Sequence, residues 1–107
     1  LKRLARRASL GLARTGAVSG NGSGDIFIAF SSANPQASRP EGVANVVTLA
    51  NGSMNPLFTA TVQATEEAIV NALVAAETMT GLDGHTVIAI PHDRLRAAVA
   101  GGPGSAR

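Results

Sequence analysis

A serine framed by glycines, Gly20-Asn21-Gly22-Ser23-Gly24-Asp25, stands directly before the apolar run Ile26-Phe27-Ile28-Ala29-Phe30. Glycine has no Cβ, so the backbone around Ser23 can take positive φ and another group can approach closely. This setting suits a peptide bond that is to be cut or a hydroxyl that is to be reached; it also describes an ordinary glycine-rich turn before a strand. The chemistry open to Ser23 is nucleophilic. A serine hydroxyl is weak at neutral pH and needs a base, and one solution is the residue's own α-amine. Such an amine titrates at about 7.7 to 8.0, so a useful fraction is neutral near pH 7. Inside the chain, the Ser23 hydroxyl can attack the Gly22 carbonyl and form an ester that water hydrolyses. The first reaction thereby frees the amine that serves the second. Gly22 has no side chain to hinder the attack, and the Gly24 N–H is a candidate donor to the oxyanion.

A histidine-based serine mechanism has two candidates, His85 and His92. His85 follows Gly81-Leu82-Asp83-Gly84 in a turn, and His92 sits in Pro91-His92-Asp93-Arg94, a helix start, so both read as surface or capping residues. Neither has a metal-ligand spacing, no HExxH is present, and the absence of cysteine excludes thiolate zinc sites, disulfides and cysteine nucleophiles. No metal is expected.

A second position of interest lies on a long predicted helix, from about Asn55 to Met79, with Pro56 in its first turn and Gly81 just past its end. Phe58, Val62, Ile69, Leu73 and Ala76 form an apolar stripe. At about 100° per residue Glu66 falls on the shoulder of this stripe and Glu67 points away. A carboxylate beside a buried face either pairs with a basic group or backbone donors, or here supports the Ser23 amine.

The remaining elements follow from periodicity and punctuation. Residues 25–30 are apolar on both faces, which predicts a central strand covered above and below. Residues 34–42, with Pro35 and Pro40, read as an irregular loop, Val43 to Leu49 as another strand, and Asn51-Gly52 as a turn or hairpin signal. Thr86 to Ile90 is a short strand, His92 to Ala100 a last helix, and Gly101 to Arg107 a flexible tail. Strands buried on both faces plus helices predict an α/β layered sandwich, with no internal repeat. At 107 residues and 45% hydrophobic, with three aromatics, all Phe, one modest core is possible. That core is thin for a stand-alone enzyme, and a start at Leu1 within a helix leads us to expect a fragment of a longer polypeptide.

Charge is concentrated at one end. Lys2, Arg3, Arg6, Arg7 and Arg14 lie in the first 14 residues, which hold no acid, while the remaining 93 hold four basic and seven acidic residues. With Leu1, Leu4, Ala5, Ala8 and Leu12 on the other side they form a basic amphipathic helix. Such a helix could lie on nucleic acid or an anionic membrane, but no aromatic stacking residues accompany it, and a charge run is usually a solvated face. We expect neither nucleic acid nor membrane as a partner. No run approaches the roughly 18 apolar residues of a membrane span, and no signal peptide is recognisable, which leads to a cytoplasmic expectation. Asn21-Gly22-Ser23 and Asn51-Gly52-Ser53 match the glycosylation sequon as chance matches in turns.

GNGSGDIFIAFSSANP, followed by SMNPLFTATVQATEEAIVNALVAAETMTGLDGHTVIAIPHDRL, resembles the carboxy-terminal part of the DmpA-type L-aminopeptidase/D-esterase family, which includes the β-peptidyl aminopeptidases. The resemblance covers almost the whole chain. It implies an αββα layered sandwich of amino-terminal-nucleophile type and a precursor that cuts itself between Gly22 and Ser23. Residues 1–22 would then end the larger subunit, with a helix leading into the cleavage loop. Residues 23–107 would form the smaller catalytic subunit. Ser23 would be the nucleophile of an aminopeptidase acting on short peptides, amides or esters, without metal or organic cofactor. The upstream larger subunit would be its partner, in an oligomer of two-subunit units. The family's Ser-Thr-Ala-Asn stands here as Ser31-Ser32-Ala33-Asn34, which keeps a hydroxyl. The family also carries a serine and a glutamate two residues apart downstream of the nucleophile. This chain has no Ser-x-Glu there; its nearest forms are Thr65-Glu66-Glu67 and Ser53-Met54-Asn55. Two other classes stay open: a self-processing amidase or acyltransferase of the same layout, and a non-catalytic binding domain that uses the basic helix.

Overall fold

The computed structural model describes residues 1–101 as three α-helices, three short 3-10 turns and one two-stranded sheet. Contacts divide the chain into two compact units, Leu1–Glu67 and Ala68–Arg107.

In the first unit, helix α1 runs from Lys2 to Arg14. Thr15 and Gly16 end it. The Thr15 hydroxyl donates to the Leu12 carbonyl at 2.7 Å, and the Gly16 N–H donates to the Ala13 carbonyl at 3.0 Å. Gly16 has φ +94, the left-handed turn-off that glycine makes at little cost. Helix α2 runs from Asn55 to Ala75. Its first turn is set by Phe58 N–H donating to the Met54 carbonyl at 3.1 Å, with Pro56 where no helical N–H is needed. Thr61 and Thr65 return their hydroxyls to the carbonyls of Leu57 and Thr61, at 2.7 and 2.8 Å. Two polar groups on the inner side of α2 are thereby satisfied within the helix itself.

The two helices touch at Gly11, which is buried. A Cβ on Gly11 would stand 2.6 Å from Thr65 Cβ and 2.6 Å from the Val62 carbonyl oxygen. The half-buried stripe of α2 contains Phe58, Val62 and Ile69 as expected, together with Thr61, Thr65 and Glu66, while Glu67 is exposed. Leu73, also expected in the stripe, is exposed.

Two expected strands of this unit form no ladder among the described residues. Residues 25–30 keep a strand's two-residue alternation, with Phe27 and Ala29 half-buried and Ile26, Ile28 and Phe30 exposed. Residues 26–29 border a hollow of about 370 Å³ also lined by Leu4, Ala5, Thr61 and Thr65. The outer face is bare, at 82%, 84% and 87% exposure for Ile26, Ile28 and Phe30, so the segment is covered on one side and not on both as expected. A strand is defined by the backbone beside it, and among the described residues no neighbouring backbone takes up these groups. Residues 43–49 likewise form no ladder. There the Asn34 side chain stands in for a strand: its Nδ2 donates to the Val47 carbonyl at 3.0 Å, and its Oδ1 accepts from the Val47 N–H at 2.8 Å. Pro35–Ser38 and Asn51–Ser53 are 3-10 turns, so Asn51-Gly52 opens a path into α2 and makes no hairpin.

In the second unit, α2 ends at Ala75, earlier than the expected Met79. The residues beyond it are used otherwise: β1, Met79–Thr80, pairs antiparallel with β2, Thr86–Val87, in the register Met79 to Val87 and Thr80 to Thr86. The expected strand to Ile90 is thus two residues long in the ladder. Asp83 and Gly84 turn the hairpin with φ 56 and 75, and Gly81 N–H donates to the His85 carbonyl at 2.8 Å. Helix α3, His92–Ala100, follows Pro91, with Asp93 in the first turn where the helix dipole favours it. The expected flexible tail lies, beyond Gly101, outside the described residues. No helix among the described residues is long and apolar enough to cross a membrane. The αββα layering is not formed by the elements described.

Candidate active site

After α1 the chain reaches the loop that carries the serine. Ser19 has φ 45, a left-handed conformation that costs a residue with a Cβ roughly 1 to 3 kcal/mol. Ser23 N–H donates to the Gly20 carbonyl at 2.8 Å, closing a turn with Asn21 and Gly22 at its tip. The Gly22–Ser23 peptide bond is therefore the exit of a tight, exposed turn.

The glycines serve this turn differently from expectation. Positive φ falls on Gly16, Gly42 and Gly84 and not on Gly20, Gly22 or Gly24, and in this loop the left-handed residue is Ser19, just before the turn. At Gly20, Gly22 and Gly24 a Cβ would meet nothing within 4 Å. Their contribution is open space on both sides of the Gly22 carbonyl and the Ser23 hydroxyl. Among the described residues no hydrogen bond takes up the Gly24 N–H.

Around Ser23 stand two groups that sequence reasoning missed. The Ser23 hydroxyl donates to Asp25 Oδ2, and the Ser19 hydroxyl donates to the same oxygen at 2.9 Å. These donors, Ser23 first and Ser19 second, hold the Asp25 carboxyl below its ordinary value of 3.8. The available signal was the Ser-x-Asp spacing, which the turn closes into a contact between carboxylate and hydroxyl.

Glu66 is committed elsewhere. Its Oε2 accepts from Arg14 Nε at 2.6 Å, with the side chains 31% and 57% exposed. The helical phase that distinguishes Glu66 from Glu67 holds, and the partner is the basic group offered as one of the two sequence alternatives. The hydrogen bonds of Ser23 do not include Glu66. Other basic residues of α1 also turn to α2. The guanidinium carbons of Arg3 and Arg7 lie 4.8 and 3.9 Å from the Phe58 ring centroid, a cation–π arrangement, and Arg3 bonds the Asn51 side chain. Three of the five basic side chains of α1 are thus engaged within the unit.

His92 Nε2 lies 2.9 Å from the Val74 carbonyl, which can only accept, so the ring donates from that nitrogen and caps the last turn of α2. The expectation placed His92 at the start of its own helix; α3 has no side-chain cap there, and the ring serves the end of α2 instead. His85 lies in the hairpin turn, as expected.

The chain matches Peptidase family S58 over residues 1–87. It is 52% identical over 98 residues to the β-peptidyl aminopeptidase BapA of Sphingosinicella microcystinivorans, covering 91% of this chain and 25% of that protein. To BapA of Sphingosinicella xenopeptidilytica it is 47% identical over 97 residues, covering 89% and 24%. Among solved structures it resembles the L-aminopeptidase D-Ala-esterase/amidase of Ochrobactrum anthropi, described as a prototype of the serine aminopeptidases and a variant of the Ntn hydrolase fold. The TM-score is 0.80 and the identity 48%, over 91% of this chain and 28% of that one. The chain spans about a quarter of the length of the curated relatives it matches. On the extent and identity of these matches, the chain belongs to peptidase family S58.

Proposed function

We propose that this chain carries the nucleophile of a self-processing serine aminopeptidase, which cuts its precursor between Gly22 and Ser23 and then removes amino-terminal residues from short peptides, amides or esters. The observation that carries the reading is the Gly22–Ser23 bond at the exit of an exposed turn, with space open at both flanking glycines. An oxygen nucleophile approaching the Gly22 carbonyl meets no side chain there. After the cut, the α-amine of Ser23 serves as base for its own hydroxyl, and Gly24 N–H is a donor for the developing oxyanion.

Residues 1–22 then end the larger subunit and 23–107 form the smaller one, within an αββα sandwich that the rest of the precursor completes. The bare outer face of Ile26, Ile28 and Phe30 supports this assignment, because covering each such side chain is worth about 1.5 to 3 kcal/mol. The same support extends to the larger subunit as partner. Names of the relatives support the substrate class, a peptide or amide with a free amine.

Intact mass and amino-terminal sequencing of the mature full-length protein test the reading. Two fragments are expected, the smaller beginning at Ser23, and Ser23→Ala should abolish both cleavage and hydrolysis. A mature, active enzyme that stays one uncut chain would refute it. Acyl transfer to an amine in preference to water, in substrate profiling, would assign the acyltransferase alternative instead.

A further inference from the structure

Asp25 joins the nucleophile to a second hydroxyl, and neither bond is needed to close the turn, which Ser23 N–H and the Gly20 carbonyl already close. The loop nevertheless holds Ser19 in a left-handed conformation and brings its hydroxyl to the carboxylate. A conformation that costs free energy persists where its surroundings over-determine it, and such positions cluster at reacting groups. In the uncut precursor Ser23 has no free amine, so the amine that serves the mature enzyme is unavailable for the first cleavage. Some other group must receive the hydroxyl proton.

We propose that Asp25 is the proton acceptor for self-cleavage at Ser23, with Ser19 a positioning residue that fixes its carboxylate; this rests on the reading of Gly22–Ser23 as the cleaved bond. As the Ser23 Oγ–Gly22 C bond forms, the hydroxyl proton passes to Asp25 Oδ2. As the Gly22 C–Ser23 N bond breaks, the same proton passes to the departing amine. The amide becomes an ester and an amine, and Asp25 returns to its carboxylate. Water then hydrolyses the ester, leaving the Gly22 carboxylate and a free Ser23 hydroxyl. Among the described residues the side-chain hydrogen-bond partners of Asp25 are the two hydroxyls, and the one ion pair, Arg14–Glu66, does not involve it. The two donors depress the Asp25 pKa, so its carboxylate is complete above the ordinary aspartate range and is lost only as pH falls below it.

The test follows self-cleavage of full-length precursor made by pulsed cell-free synthesis, read by the ratio of cut to uncut chain. Asp25→Asn should slow cleavage by about 10²- to 10⁴-fold, the range of a lost general base, with Asp25→Glu recovering part of the rate. Ser19→Ala should fall between wild type and Asp25→Asn. The wild-type precursor requires no variant to fold and supplies the second measurement: its cleavage rate should be flat from about pH 5 to about pH 8, because the acceptor is already ionised throughout. A limb with its midpoint between about pH 6 and 8 would overturn the proposal, since it would report an imidazole or amine base. So would Asp25→Asn precursor that cleaves within threefold of wild type. Cleavage before residue 23 in Ser23→Ala would instead remove the nucleophile reading on which the inference rests, and this outcome is distinct from both of the others.

Discussion

Gly11→Ala tests the contact on which the first unit is built. At an exposed helix-interior site this change stabilises, by about 0.8 to 1 kcal/mol, because alanine is the better helix former. At Gly11 the new methyl would stand 2.6 Å from two atoms, Thr65 Cβ and the Val62 carbonyl oxygen. Carbon atoms prefer about 3.5 to 4.0 Å, so the helices must separate by about 1 Å. Neither obstructing atom can rotate away, since one is backbone and the other is fixed directly to it. Overpacking of this kind costs about 1 to 3 kcal/mol, which offsets the propensity gain and leaves a net loss of up to about 2 kcal/mol. Gly11→Val removes any ambiguity of sign, because it adds two further methyl groups and lacks alanine's helix advantage. Denaturant unfolding of the mature full-length protein is the assay, with the shift in midpoint at constant slope giving the free-energy change. Stabilisation by Gly11→Ala, or a neutral Gly11→Val, would show that α1 and α2 do not meet at this residue.

The pair Arg14 and Glu66 should show a coupling of about 0.2 to 1 kcal/mol in a double-mutant cycle built from Arg14→Gln and Glu66→Gln, with Glu67→Gln within about 0.5 kcal/mol of wild type. Equal effects of Glu66→Gln and Glu67→Gln would defeat the helical-phase argument. For the mature enzyme, hydrolysis should fall as the Ser23 amine is protonated, and the midpoint of that acidic limb should stay where it is in His85→Gln and His92→Gln. His92→Gln should cost about 0.5 to 1.5 kcal/mol of stability through the lost bond to Val74, so loss of turnover in a folded His92→Gln enzyme would refute the amine-base mechanism.

Helices were legible because their signals are local. The basic and apolar positions of α1, the phase of Glu66 against Glu67, and the Pro91-His92-Asp93 start of α3 depend only on spacing along the chain. Strands were less so, since residues 25–30 show the alternation of a strand but need a neighbour that periodicity cannot supply. The end of α2 was misplaced for a similar reason: Met79 continues a helical pattern, and only its pairing with Val87 withdraws it. Ser23 stood out because glycines surround it. Asp25 did not, because an aspartate two residues after a serine carries meaning only once the backbone turn brings the two side chains together.

The amide of Asn34 has a consequence for chemical ageing. It serves Val47 as both donor and acceptor, so conversion to a carboxylate would keep one bond and leave the Val47 carbonyl facing a negative oxygen. Asparagine makes that conversion when the backbone nitrogen of the next residue loses its proton and attacks the side-chain carbonyl. Here the next residue is Pro35, whose nitrogen has no proton to lose. Asn21 and Asn51 are each followed by glycine, the least hindered neighbour for the same attack. Asn34, which bridges two segments of the chain, is thus protected against slow deamidation by its own successor, as is Asn55 before Pro56, whereas Asn51, which accepts from Arg3, is not.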